Sequence, residues 1–313
     1  MQFSISIRWI NEVSFLKNII NGIYQLIKFL PLQDNHSAKF EHWAVLWAPT
    51  VNLGDDIQTL AAINFLHKKG IYDFEFINRE DLCNYNGKPV NLIMNGWFMH
   101  DLKKFPPSKH ISPFFISFHC AREELIQKNI EYFKKFEPIG CRDTITVEKL
   151  KRYGIDAYFS GCLTLYFDKS TQKRNIDCVI SDINKCSYIP KVNFDYSDFK
   201  NALLTSHDIE NRYYRKDLYW RLFKAQQLLN IYRDAKNVIT NRLHVALPSI
   251  AMGTPVKFIH ANMQDERFSG YKNILLPEKS SDANDTKFSS MELSVNEIKL
   301  KFDLIELQNT NKK

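Results

Sequence analysis

The chain has 313 residues, 44% of them apolar, with 23 Phe and 14 Tyr, which excludes a disordered polypeptide and leaves room for two domains, each with its own core. Forty-two Lys and Arg against 35 Asp and Glu give a formal charge of +7, a balance that suits an anionic small molecule, an anionic membrane face or nucleic acid. The basic residues are scattered and do not interleave with aromatics in one patch, which argues against nucleic acid.

The first segment places Val13, Leu16, Ile20, Ile23, Ile27 and Leu30 at helical spacing, with Lys17 and Lys28 off that face, and so predicts an amphipathic helix. Docking on the body of the protein is the simpler expectation for it; a peripheral membrane contact is the alternative. No apolar run reaches the roughly 18 residues of a membrane span. Arg8, Glu12 and Lys17 interrupt the first apolar stretch, and no small-residue cleavage site follows, so no cleavable signal is expected. Residues 31–41, opening on Pro31, read as a linker.

From Trp43 onward short apolar strands alternate with helical patterns: WAVLW, a helix from about Asp56 to Lys68, FEFIN, VNLIMNG, SPFFISFHC, a helix through EELIQKNIEYFKKF, and PIGCR. A polar, lysine-rich joint at 168–175 leads into a second set: DCVISDI, NALLTSH, a long helix around 211–235, NVITN, a helix from Leu243, and VKFIH. Alternation of this kind predicts βαβ units and parallel sheets. The expected fold is α/β, with two Rossmann-like domains facing across a cleft at the C-terminal ends of their strands. The boundaries fall at 1–37 for the helix and linker, 38–168 and 169–275 for the two domains, and 276–313 for a loop and a last helix. In that helix Ser294 and Glu297 stand at capping-box spacing, and Ile298, Phe302 and Ile305 share a stripe.

Two arginines occupy equivalent places. PIGCRDTITVEKLKRYGI gives a strand ending at Arg142, Asp143 as N-cap, a helix and Gly154 as its stop, and NVITNRLHVALPSIAMG repeats the layout with Arg242 and Gly253. Such positions look into the crevice, where helix N-termini already favour anions. Two guanidiniums there suit a doubly anionic small molecule; pairing with a neighbouring acid such as Asp143 is the structural alternative. His244 would lie on the first turn after Arg242, where it could donate a proton to whatever the arginine holds, and His119 is a second histidine at a strand end. In TVNLGDDIQTLAA, Asn52 and Gly54 make a tight turn, and Asp55 or Asp56 caps the next helix while facing the cleft, well placed to hydrogen-bond sugar hydroxyls. The GxGxxG glycines and a P-loop are both missing, so a dinucleotide or nucleoside triphosphate is not expected. Six cysteines, Cys83, Cys120, Cys141, Cys162, Cys178 and Cys186, form no CxxC pair and no zinc-spaced ladder. They read as reduced thiols of a cytoplasmic protein, and no metal is expected.

The stretches NLGDDIQTLAA, IMNGWFMH, PIGCRDTITVEKLKRYGIDAYFSGCLTL and VITNRLHVALPSIAMGTPVKFI, in this order, resemble the polysaccharide pyruvyl transferase family over about residues 43–275. The resemblance implies a fold like that of GT-B glycosyltransferases and transfer of pyruvate from phosphoenolpyruvate (PEP) to a sugar as a ketal, on a surface polysaccharide or its lipid-linked precursor. It implies PEP contacts at Arg142, Arg242, Leu243, His244 and, by its strand-end position alone, His119. His244 is then the general acid, Asp55 or Asp56 orients or deprotonates an acceptor hydroxyl, Asn52 and Gly54 flank the acceptor, and PEP is a co-substrate with no cofactor beside it. The expected location is cytoplasmic, at the inner face of the membrane if the first helix binds there. A GT-B glycosyltransferase using a nucleotide sugar and a non-catalytic polysaccharide assembly protein are the rival readings.

Overall fold

Parallel strands carry the molecule. The computed structural model describes residues 38–98, 101–183, 191–192, 194–195, 197–210, 216–276 and 294–307. The expected helix at 13–30 and the loop before Ser294 lie outside them. β1 (His42–Trp47) pairs with β2 (Phe74–Asn78) on one side and β3 (Val90–Ile93) on the other, and β3 pairs with β5 (Ile111–Phe114). β4 (Gly96–Trp97) and β6 (Phe118–His119) continue the passes of β3 and β5, pair with each other, and are extended by β7 (Ile139–Cys141) and β8 (Ala157–Phe159). A further sheet takes the order β10-β9-β11-β12, from β9 (Val179–Ser181), β10 (Leu203–Thr205), β11 (Val238–Thr240) and β12 (Val256–Phe258). All these pairings are parallel, as the βαβ alternation predicted. Residues 43–46 of β1 and all of β3 are buried, the environment that continuous Val, Leu and Ile runs require.

The helices are α1 (Gly54–Lys68), α2 (Glu123–Lys128), α3 (Ile130–Lys135), α4 (Thr144–Arg152), α5 (Leu218–Asp234), α6 (Leu243–Ala251), α7 (Lys272–Leu275) and α8 (Val295–Leu304). The single helix expected over 123–136 is two, broken at Asn129 (φ −130, ψ 30), whose side-chain amide donates to the Leu125 carbonyl. An asparagine side chain competes with the helical ladder in this way. α5 starts at Leu218, where the Asp217 carboxylate accepts from Trp220 N. The capping box of Ser294 and Glu297 closes in both directions at the start of α8. β8 has only three residues, too few for a period to announce them. Among the described residues no helix is long and apolar enough to cross a membrane.

Residues 36–313 make one unit, and two contacts tie its sheets together. α1 packs on α5, and there Arg221 makes a two-pronged ion pair with Asp56 at 2.8 and 2.7 Å, both side chains fully buried. The turn after β1 zips against the segment after β10 through Leu53 N to His207 O (2.8 Å) and Ile209 N to Val51 O (2.7 Å). The lysine-rich joint is pinned, because Arg174 donates to the carbonyls of Arg233, Ala235 and Met252.

Candidate functional site

The segments leaving β1, β7, β10, β11 and β12 converge on a cavity of about 370 Å³, at the end of a parallel sheet where ligands bind. The β1–α1 turn contributes Thr50, Asn52, Gly54, Asp55 and Gln58; the ends of β7 and β10 contribute Arg142 and His207. Asn241, Arg242, Leu243 and His244 come from the start of α6, and His260, Arg267 and Phe268 close the far wall. Arg142 and Arg242 therefore share one cavity.

Arg142 is 2% exposed. Its Nη1 donates to Gln58 Oε1 at 3.1 Å, its Nε is buried without a partner, and no carboxylate among the described residues lies within ion-pair distance. A buried guanidinium so placed is an anion-binding group by its own chemistry. Gln58 fixes it, since its Nε2 reaches Asp55 Oδ1 at 3.3 Å and its carbonyl accepts from Asn95 at 2.8 Å. Asp143, the alternative partner, is engaged elsewhere. Its Oδ1 caps α4 by accepting from Thr146 N at 2.8 Å, and its Oδ2 holds His119 Nδ1 at 2.5 Å. The first-turn amides of α4 are thus partly satisfied by the chain itself, with Asp143 in the N-cap place that the sequence predicts.

Arg242 is wired the other way. Its Nε meets Asp182 at 2.9 Å and its Nη2 meets Asp208 at 2.7 Å. Asp182 adopts a left-handed backbone (φ 59), from which its Oδ2 also accepts from His207 N at 2.9 Å. α6 has no side-chain cap; Arg242 N donates to Thr240 Oγ1 and Val245 N to Arg242 O, which leaves the amides of Leu243 and His244, two wall residues of the cavity, as the open donors of the helix start. Burial first, then the positive charge of Arg142, with Arg267 adding to it and His207 and His119 doing so only when protonated, hold the His244 imidazole well below its ordinary value, so the free protein carries it neutral. Burial likewise lowers His207 to about 4.

Buried side-chain nitrogens and oxygens without a partner concentrate here. Among the described residues, four of them line this cavity: Arg142 Nε, His207 Nδ1, Asn241 Oδ1 and His244 Nε2. Buried polar groups are normally satisfied, so a cluster of bare ones marks a place built for a polar ligand. One more, Asn95 Oδ1, lines a water-sized pocket behind Asp55, beside Arg79, whose Nη2 pairs with Glu80 Oε1 at 3.0 Å. Among the described residues no three His, Cys, Asp or Glu side chains gather as a metal ion would need.

The two candidate carboxylates part company. Asp55 lines the cavity, accepting from Thr50 Oγ1 at 2.6 Å. Asp56 does not face the cleft: it is 0% exposed and bound to Arg221, because the next residue along a helix points about 100° away. Burial pushes its carboxyl up while Arg221 pulls it down. His119 is also absent from the cavity wall. It is 1% exposed and held by Asp143, and burial and Arg142 lower its imidazole. Asn52 and Gly54 line the cavity, with Asn52 Oδ1 accepting from Gly54 N at 2.9 Å to close the turn. Leu243 is an apolar part of the wall. His207, Gln58 and Asn241 were not singled out from the sequence. His207 carried the signal that marked the others, a histidine where a strand ends, and Gln58 was a polar residue among the buried positions of α1.

The family model described as polysaccharide pyruvyl transferase matches residues 52–259. That span holds every wall residue of the cavity from Asn52 to Arg242 to His244, while His260, Arg267 and Phe268 lie beyond it. A crystal structure of a functionally uncharacterized protein from Klebsiella pneumoniae superposes with a TM-score of 0.50 at 19% identity, covering 80% of this chain and 94% of that one, a likeness of fold. No curated protein matches the chain.

Proposed function

Since this chain belongs to the polysaccharide pyruvyl transferase family, we propose that it transfers pyruvate from PEP to two hydroxyls of a saccharide, making a pyruvate ketal and releasing phosphate. The observation that carries the reading is the buried, carboxylate-free guanidinium of Arg142 opposite the uncapped start of α6. PEP has two anionic ends, and these are two distinct anion receptors in one cavity. Arg142 takes one end; the α6 amides, with Arg242 and Leu243 beside them, take the other. Residues 38–168 and 169–275 act on this reading as the acceptor and PEP lobes of a GT-B-like enzyme, with Arg142 reaching across from the first.

His244 serves as the general acid toward the PEP methylene. It is neutral in the free protein, so its proton must arrive with the anion, which offsets the positive charges that hold it down. Protonation of the methylene leaves an oxocarbenium-like C2, one hydroxyl adds, phosphate departs with the bridging oxygen, and the second hydroxyl closes the ketal. Asp55, its oxygens held by Thr50 and Gln58, orients an acceptor hydroxyl, while His119, outside the wall, holds the Asp143 cap beside Arg142. The acceptor is a sugar of a surface polysaccharide or of its lipid-linked precursor at the inner face of the membrane. Titration calorimetry of the full chain with PEP and with UDP-glucose tests this. PEP is expected to bind and UDP-glucose not to; the reverse preference rules the reading out in favour of a nucleotide-sugar glycosyltransferase.

A further inference from the structure

Transfer to a hydroxyl needs a group to accept its proton, and His244, as donor, cannot be that group in the same step. We propose that His207 is a second catalytic imidazole, the base whose Nδ1 takes the proton of the acceptor hydroxyl as its oxygen attacks C2 of PEP. This deepens the pyruvyl-transfer reading and rests on it.

His207 is 0% exposed yet forms part of the cavity wall, and its ring is fixed from behind. Nε2 lies 3.0 Å from the Tyr232 hydroxyl, which in turn lies 3.2 Å from Ser181 Oγ, and the His207 amide donates to Asp182, the carboxylate that holds Arg242. Nδ1 is left bare. It looks toward Gly54, where an added Cβ would stand 3.4 Å from Nδ1 and 3.0 Å from Asn52 Oδ1. One nitrogen anchored to an orienting hydroxyl and the other bare at a ligand cavity is the arrangement of a general base. With Nε2–H donating to the Tyr232 oxygen, and Tyr232 donating onward to Ser181, Nδ1 carries the lone pair.

The charged groups that bear on the ring are Asp182, Arg242 and Asp55, with His244 across the cavity. Asp55 is the poorer base because Thr50 Oγ1 and Gln58 Nε2 already donate to its two oxygens. The step balances. The C2–C3 π pair takes a proton from His244, the first hydroxyl oxygen bonds to C2, and its proton passes to His207 Nδ1. The C2–O bond to the phosphate then breaks with its electron pair leaving on phosphate, which takes the proton from His207, and the second hydroxyl closes the ring as its proton returns to His244. Two hydroxyl protons enter; one is found in the new methyl group and one on hydrogen phosphate.

The test compares wild type, His207→Gln and Gly54→Ala, using PEP with the methyl glycosides of galactose and glucose as acceptor probes. Gly54 has no positive φ, so alanine suits the helix start; its methyl group presses on the Asn52 amide and stands in ordinary contact with Nδ1, in the space an acceptor hydroxyl needs, while the imidazole stays in place. His207→Gln is expected to bind PEP within about threefold of wild type, to release phosphate about 100-fold more slowly, and to lose the fall in rate at low pH that titration of the base imposes. Gly54→Ala is expected to slow release about tenfold, again with PEP binding kept. A folded His207→Gln protein with wild-type rate and pH profile overturns the proposal, and so does parallel loss of PEP binding, which would make His207 a PEP ligand. Should His207→Gln not fold, an undiminished rate in Gly54→Ala overturns it. Wild type that neither binds PEP nor acts on the glycosides removes the transferase reading itself, and this assignment with it.

Discussion

The two strand–arginine–helix junctions share a sequence layout and a cavity but divide the work of holding an anion in opposite ways. At the first, the helix start is capped by Asp143 and the arginine has no carboxylate partner; at the second, the helix start is uncapped and the arginine is tied to Asp182 and Asp208. One junction presents a side-chain charge, the other presents backbone amides held in place by a neutralised arginine. A dianion met by two bare guanidiniums would face a site costly to fold without it; one bare and one compensated guanidinium keeps that cost down.

Arg242→Met breaks this comparison most severely. It leaves the Asp182 carboxylate, whose side chain is 0% exposed, without its cation, and loss of one partner from a buried pair costs about 3–5 kcal/mol. Urea denaturation is expected to show that loss; wild-type stability in the variant would make the second arginine a ligand group like the first. Arg142→Met is expected to behave inversely. No carboxylate pairs directly with Arg142, whose charge reaches Asp143 only through space, so this variant should lose much less stability than Arg242→Met, while PEP affinity falls by about 10- to 100-fold, the worth of one charged hydrogen-bonding group at about 1.5–3 kcal/mol. Calorimetry beside a melting curve separates the two variants, and a strongly unstable Arg142→Met protein would contradict the wiring.

Local signals made much of this readable. Gly154 and Gly253 end their helices at φ +68 and +79, the left-handed stops that glycine provides after the arginines, and Asp143 caps where its place before TITV says it should. The carboxylate partners were hidden because the chain separates them widely: Asp56 meets Arg221 across 165 positions, and Arg242 meets Asp182 across 60. Nothing in DD at the start of α1 says which acid turns to the cavity, since a helix sends neighbours to different faces and only the position of α5 decides. The far wall at His260, Arg267 and Phe268 follows β12 in loop and a single 3-10 turn, Glu266–Phe268, too short for a period to be read.

The histidines sharpen the comparison last and by the smallest margin. His119, at the first junction, has its own anion in Asp143; the permanent charges that act on His244, at the second, are those of Arg142 and Arg267, so its counter-charge has to come with the ligand. In the free protein His207 is lowered to about 4, and His119 and His244 are also lowered from the ordinary 6.5, chiefly by burial. The unfolded chain therefore binds more protons than the folded one below 6.5, and stability present above that pH is lost as pH falls toward 4, by up to about 1.4 kcal/mol per unit for each histidine. An anion on Arg142 and α6 raises His244, so the complex takes up a proton that free protein lacks. PEP affinity is then expected to weaken as pH rises through the pKa of His244 in the complex, by up to about tenfold per unit, and the heat of binding should vary with the ionisation heat of the buffer. His244→Gln should abolish that buffer dependence. If the variant binds PEP with the same proton uptake as wild type, the proton enters elsewhere, and the uncapped junction is an anion receptor without an acid.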